Sequence, residues 1–195
     1  LAAPSAIALF IFGEPLAAVL YHYGKFNALD VLMTQRALAA YGVGLIGLIL
    51  VKILAPGFYS RQDIRTPVKI GLFVLIATQL ANLIFVPWLG HAGLALSVGT
   101  GACLNAALLW IGLSKRGALP NAAWLKYLGQ LLLALIPFSA VLFYAATAHN
   151  WIELQTQPWT RIGLLTLWLT TAALVYFVSL ALVGIRWQKF LRHAK

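Results

Sequence analysis

"VKIGLFVLIATQLANLIFVP", from Val68 to Pro87, runs for twenty residues with one charge, Lys69, near its start. A helix rises about 1.5 Å per residue, so such a run covers the roughly 30 Å of a bilayer's hydrocarbon core. Working outward, five further runs of the same kind follow: Ala2–Tyr21, Ala37–Pro56, Ala92–Leu113, Leu125–Thr147 and Ile162–Ile185. None shows the alternation of a membrane barrel strand, and a lipid-exposed backbone must satisfy its own hydrogen bonds. The expected fold is therefore all-α, a polytopic transmembrane bundle of six spans. Composition agrees, with 62% hydrophobic and 9% charged residues against about 45–50% and 25% in a soluble domain. The first run has no basic region before it, so it does not read as a signal peptide. With Leu1 in place of an initiator methionine, the chain reads as the C-terminal piece of a longer membrane protein.

The net charge of +10 would suggest nucleic acid in a soluble protein. Here the distribution decides otherwise. Arg61, Arg65 and Lys69 lie between spans two and three, Lys115, Arg116 and Lys126 between four and five, and Arg186, Lys189, Arg192 and Lys195 in the tail. The opposite loops hold Lys25 and Arg36, with Arg161 at the mouth of the last span. This positive-inside pattern puts both ends in the cytoplasm and accounts for the charge without a nucleic-acid partner. Aromatic residues at Tyr21, Tyr23, Phe58, Tyr59, Trp88, Trp124, Tyr127, Trp151, Trp159 and Trp187 mark where spans meet the interface. The longer connections, Gly24–Arg36 and Ala148–Arg161, fall on the outer side. Cys103 stands alone and the four histidines lack ligand spacing, so neither a disulfide, a metal site nor a cofactor is expected.

Side chains that are costly to bury mark the candidate site. Glu14, before the helix-breaking Pro15, would sit about 14 Å deep in a straight span. It reads either as a gating or coupling carboxylate or as a structural one capping a broken helix. Lys52 either snorkels to the headgroups or lines a cavity. Gln79 and Asn82, one turn apart with Thr78 alongside, and Asn105 in the next span, either bond between helices or line a polar route. Small residues recur every four positions at Gly93, Ser97 and Gly101, and at Ala40 and Gly44, with Gly42 and Gly47 beside them, where another helix can approach closely. The last two spans are rich in leucine and aromatics and suit acyl chains. Their polar exceptions, Gln130, Thr166, Thr170 and Thr171, are expected to bond the preceding helical turn. With only Glu14, Asp30, Asp63 and Glu153 as acids and no phosphate-cradling loop or nucleophile elbow, no catalytic grouping emerges, and the chain does not read as an enzyme.

The polar island "APGFYSRQDIRTPVK", Ala55–Lys69, separates spans two and three. Pro56 and Gly57 are expected to end one helix, with Phe58 and Tyr59 floating at the interface. Thr66 is expected to cap the next helix, with Pro67 at its first position. Arg61, Asp63 and Arg65 fall on the turn between them.

The stretch "VKILAPGFYSRQDIRTPVKI", Val51–Ile70, resembles the connection between the corresponding spans of the MurJ (MviN) lipid II flippase family, in the MOP exporter superfamily. "GEPLAAVLYHYGKF", Gly13–Phe26, and "AGLALSVGTGACLNAALLW", Ala92–Trp110, are similar to the same family. The resemblance implies fourteen transmembrane helices, of which these six are the last, in the bacterial cytoplasmic membrane. It implies four lobe helices in residues 1–114 and, in 115–195, two extra helices forming a groove for the lipid tail. The implied activity is alternating-access transfer of undecaprenyl-pyrophosphate-linked peptidoglycan precursor to the outer leaflet. The implied partners are lipid II, membrane lipids and the missing N-terminal half, which carries the headgroup cavity. Where a family sodium site would place a carboxylate, Val68–Pro87 offers Thr78, Gln79 and Asn82, so membrane potential or protons are expected to drive the cycle. Asp63 is expected to pair with Arg61, Arg65 or a base of the other lobe as the cytoplasmic mouth closes. Two other readings stand beside this one: another exporter of the superfamily, moving oligosaccharide-lipids or drugs, and a non-transporting membrane scaffold.

Overall fold

The computed structural model describes residues 2–117 and 123–183, apart from the side chains of 123–126. The elements are helical throughout: α1 Ala2–Ile11, α2 Gly13–Tyr21, α3 Ala28–Tyr59, α4 Arg65–Leu89, α5 His91–Lys115, α6 Ala123–Ala148, a short 3-10 turn Glu153–Thr156, and α7 Pro158–Leu182. Helices α3 to α7 each include a stretch long and apolar enough to cross a bilayer, and α1 with α2 would make a sixth, broken span. Trp187 and the basic residues of the tail lie outside the described residues, as do the side chains of Trp124 and Lys126.

The break in the first span is sharper than a proline kink. Pro15 has no N–H for the carbonyl of Ile11, Phe12 leaves the helical region at φ −103° and ψ 15°, and the axis turns by 75°. Packing fixes the bend. Phe12 is fully buried with its ring edge-on to Trp151 at 5.6 Å, and the Trp151 indole N–H donates to the carbonyl of Ala145 at 3.1 Å. Val31, Leu142 and Tyr176 belong to the same core, which joins α1, α2, α3, α6 and α7. Trp151 and Phe58, expected as interfacial residues, are both 0% exposed and act as core anchors. The depth assigned to Glu14 assumed a straight helix and does not carry over.

Helix α3 begins at Ala28, well before the expected Ala37, so most of the connection Gly24–Arg36 is helix. A reciprocal cap starts it. The Asn27 side chain accepts from the Asp30 N–H at 3.0 Å, and the Asp30 carboxylate accepts from the Asn27 N–H at 2.9 Å, satisfying two donors that a helix start leaves open. At the other end Pro56 lies inside the helix, which continues to Tyr59 instead of stopping at Pro56–Gly57. The reversal comes later, through Gln62 at φ 59°.

The helices form a row. Helix α4 packs on α5, α5 on α3, α3 on α1 and α2, α1 on α6, and the α6–α7 pair closes back on α2 through α7. Helices α3 and α5 meet backbone to backbone, since a Cβ on Gly44 would overlap Gly99. The row Gly93, Ser97, Gly101 instead receives α4: Gly93 lies against the Phe85 carbonyl and Gly101 against Thr78. On α7, Thr166, Thr170 and Thr171 donate to carbonyls of the preceding turn at 2.8–2.9 Å as expected. Gln130 differs: its side-chain N–H donates to the Val183 carbonyl at 2.9 Å, tying α6 to the end of α7.

Candidate functional site

The end of the row that carries the α3–α4 turn and the close of α5 is the basic end, and Asp63 organises it. Its carboxylate accepts from the Thr66 N–H at 3.1 Å and the Thr66 hydroxyl at 2.7 Å, so Asp63, and not Thr66, supplies the side-chain cap of α4. Asp63 Oδ2 also lies 2.6 Å from Nη1 of Arg116. Thr66, above all through its hydroxyl and then its N–H, and Arg116 after it, hold the Asp63 carboxyl down at about 2. Arg116 further donates from Nη2 to the Thr66 hydroxyl at 3.3 Å, and its guanidinium lies over the Phe58 ring at 5.1 Å. Phe58 is buried with Leu54, Leu109 and Leu113, and its carbonyl accepts from the N–H groups of Arg61 and Asp63. Asp63 thus joins the end of α3 through its backbone N–H and the start of α4 and end of α5 through its carboxylate.

In this structure Asp63 pairs with Arg116, and not with Arg61 or Arg65. Arg61 is exposed and reaches the Arg116 carbonyl at 3.5 Å, and Arg65 is exposed on the first turn of α4. Arg116 entered the sequence reading only as a topology charge. An arginine in a basic cluster after a span carries no pattern that marks it as a partner of a carboxylate over fifty residues away.

The other candidates lie apart. Glu14 is half-buried in the first turn of α2, where the helix dipole favours a negative group. Lys52 is exposed on α3, seven residues before its end at Tyr59. Gln79 and Asn82 bond each other along one helix: the Asn82 amide donates to Gln79 Oε1 at 3.1 Å, while Thr78 packs into the space left by Gly101. Asn105 is half-buried on α5. An apolar groove of about 220 Å³ between α3 and α5, with Leu50, Leu54, Cys103 and Trp110 in its walls, is lined by none of these polar candidates. Among the described residues no three His, Cys, Asp or Glu side chains come together as metal ligands.

At the opposite end of the row, sequence reading passed over Arg161. It is 0% exposed, with its guanidinium 5.9 Å from the centre of the Tyr23 ring. The spacing Arg161, Leu165, Ala172, Tyr176 follows the buried face of α7 and was the available signal, hidden because the arginine was read only for topology.

A family model described as "Lipid II flippase MurJ" matches residues 1–179. The chain is 52% identical over 196 residues to the lipid II flippase MurJ of Burkholderia cenocepacia, a match that takes in 100% of this chain and 38% of that protein. It is 35% identical over 187 residues to the probable lipid II flippase MurJ of Buchnera aphidicola subsp. Schizaphis graminum, and 33% over 188 residues to that of Haemophilus influenzae. Each of these alignments takes in 95% of this chain and 36% of the relative. The chain therefore spans a little over a third of the length of these relatives.

Proposed function

Because the chain belongs to the lipid II flippase MurJ family, we propose that it is the C-terminal part of a transporter that moves undecaprenyl-pyrophosphate-linked peptidoglycan precursor from the cytoplasmic to the outer leaflet by alternating access. The observation that carries this reading is the reach of the family match, which runs from residue 1 to 179 and so takes in the first five apolar segments and most of the sixth. The protein resides in the bacterial cytoplasmic membrane with its basic end and C-terminus inside. The preceding half of the protein supplies the cavity for the pyrophosphate and sugars.

In this reading residues 1–114 belong to the second lobe and 115–195 form the groove for the lipid tail. Exposed apolar side chains on α6 and α7, among them Leu132, Ile136, Phe143, Leu167 and Leu174, support that use. The Asp63–Arg116 knot holds α3, α4 and α5 together as one block when the lobe rocks, and the exposed Arg61 and Arg65 face the other lobe across the cytoplasmic mouth. Glu14, at the break between α1 and α2, is the gating or coupling carboxylate, while Lys52, Gln79, Asn82 and Asn105 line the polar route.

Genetic complementation tests the assignment. The full-length gene should restore growth to cells depleted of their own lipid II flippase, and Glu14→Gln should lower that activity. Failure to complement despite normal membrane insertion would remove the flippase reading. Full complementation by Glu14→Gln would reduce Glu14 to a structural carboxylate of the broken helix.

A further inference from the structure

The buried face of α7 begins one turn inside the helix, at Arg161. Its side chain is completely enclosed, yet Nε, Nη1 and Nη2 all lack a hydrogen-bond partner. His22, adjacent in sequence to the Tyr23 that lies against the guanidinium, is 5% exposed, and its Nδ1 is likewise without a partner. A guanidinium removed from water is strongly disfavoured unless an anion or several acceptors replace its hydration.

The chain's own four carboxylates do not supply that anion. Asp63 is engaged by Arg116 at the basic end, Asp30 closes the cap of α3, Glu153 is exposed, and Glu14 sits at the start of α2 whereas Tyr21, next to His22, ends it. The sole ion pair among the described residues is the one between Asp63 and Arg116. No carboxylate among the described residues lies within ion-pair distance of the Arg161 guanidinium.

Depth identifies its chemistry. Trp159, two residues before Arg161, is 84% exposed, as suits a ring at headgroup level. The anions present at that level of a bilayer are lipid phosphates, and a guanidinium fork matches phosphate oxygens in bidentate fashion. We propose that Arg161 forms an oxyanion site for the phosphate of a membrane lipid, beside the turn that carries Tyr23. Tyr23 is 43% exposed and its ring lies against the enclosed guanidinium, so a ligand reaches the guanidinium by displacing it. The site needs only that α7 lies in a bilayer and does not depend on what the whole protein transports.

The test is lipid binding by the purified full-length protein, read by native mass spectrometry with added phosphatidylglycerol, undecaprenyl pyrophosphate, or diacylglycerol as the phosphate-free control. Both phosphate lipids should be retained over diacylglycerol. Arg161→Gln should weaken their binding by about ten-fold, and Arg161→Lys should restore part of it. Tighter binding of undecaprenyl pyrophosphate than of phosphatidylglycerol would assign the site to the carrier lipid, and the reverse to bulk bilayer lipid. Tyr23→Ala, on an exposed turn, should strengthen binding several-fold and keeps the test open if Arg161→Gln does not fold. Unchanged binding in both variants, or equal retention of diacylglycerol, would overturn the site. Loss of stability alone in Arg161→Gln, with binding intact, would do the same and point to a carboxylate from elsewhere in the protein. Since flipping is not read, failure of the site leaves the transport reading untouched.

Discussion

Asp63 accepts three hydrogen bonds, two from Thr66 and one from Arg116, and this sets how the basic end responds to acid. A carboxyl held at about 2 in the fold, below its ordinary value near 3.9, adds stability above that ordinary value and loses it as pH falls through about 2. In thermal unfolding of the full-length protein, wild type should therefore exceed Asp63→Asn by a constant margin near neutral pH. The margin should shrink as pH drops from about 4 towards 2; a margin that does not change over that range would contradict the assignment. Phe12 is the corresponding anchor for the bend. Its ring is buried against Trp151, so Phe12→Ala should destabilise by about 3–5 kcal/mol through the cavity it leaves. A loss under about 1 kcal/mol in chemical denaturation would show that the core can close over the gap and that Phe12 does not pin the break.

At the scale of elements, the contact between α3 and α5 is the least tolerant. Gly44 faces the backbone of Gly99, and Gly99 faces Gly44 and the Ala40 carbonyl, so a methyl group at either position has no flexible side chain to push aside. Gly44→Ala should cost about 1–3 kcal/mol as overpacking. Gly129, with open space around a would-be Cβ, should gain about 0.5–1 kcal/mol on becoming alanine. Equal Tm changes in the two variants would contradict the close approach. The sequence disclosed the spans because a bilayer demands long apolar runs, and it disclosed the α3 and α5 glycines as small-residue rows. It did not reveal which face meets which partner: Gly99, outside the four-residue row, meets α3, while that row meets α4. The early start of α3 was present in the Asn27–Asp30 pair but was masked by the polar look of Gly24–Arg36. The tether between Asp63 and Arg116 is a product of tertiary packing, which no local spacing encodes, whereas the buried face that holds Arg161 was legible in its spacing with Leu165, Ala172 and Tyr176.

At the scale of the molecule, the six segments form a row whose margins are unequal. Helix α4 has a single buried residue, Val74, and exposes Leu72, Phe73, Leu83, Ile84 and Trp88, whereas α1, α2, α3, α6 and α7 share one core. In the transport reading proposed above, α4 is the margin that meets lipid or the rest of the protein, and α6–α7 the margin that meets the lipid tail. The measurement that bears most directly on it is transfer of fluorescent lipid II across vesicles containing the purified full-length protein. Lipid II should move between leaflets faster than in protein-free vesicles, and transfer should slow when bulky substitutions fill the exposed face of α6 and α7. Lipid II confined to its starting leaflet, in vesicles where the protein is folded and inserted under a membrane potential, would contradict it.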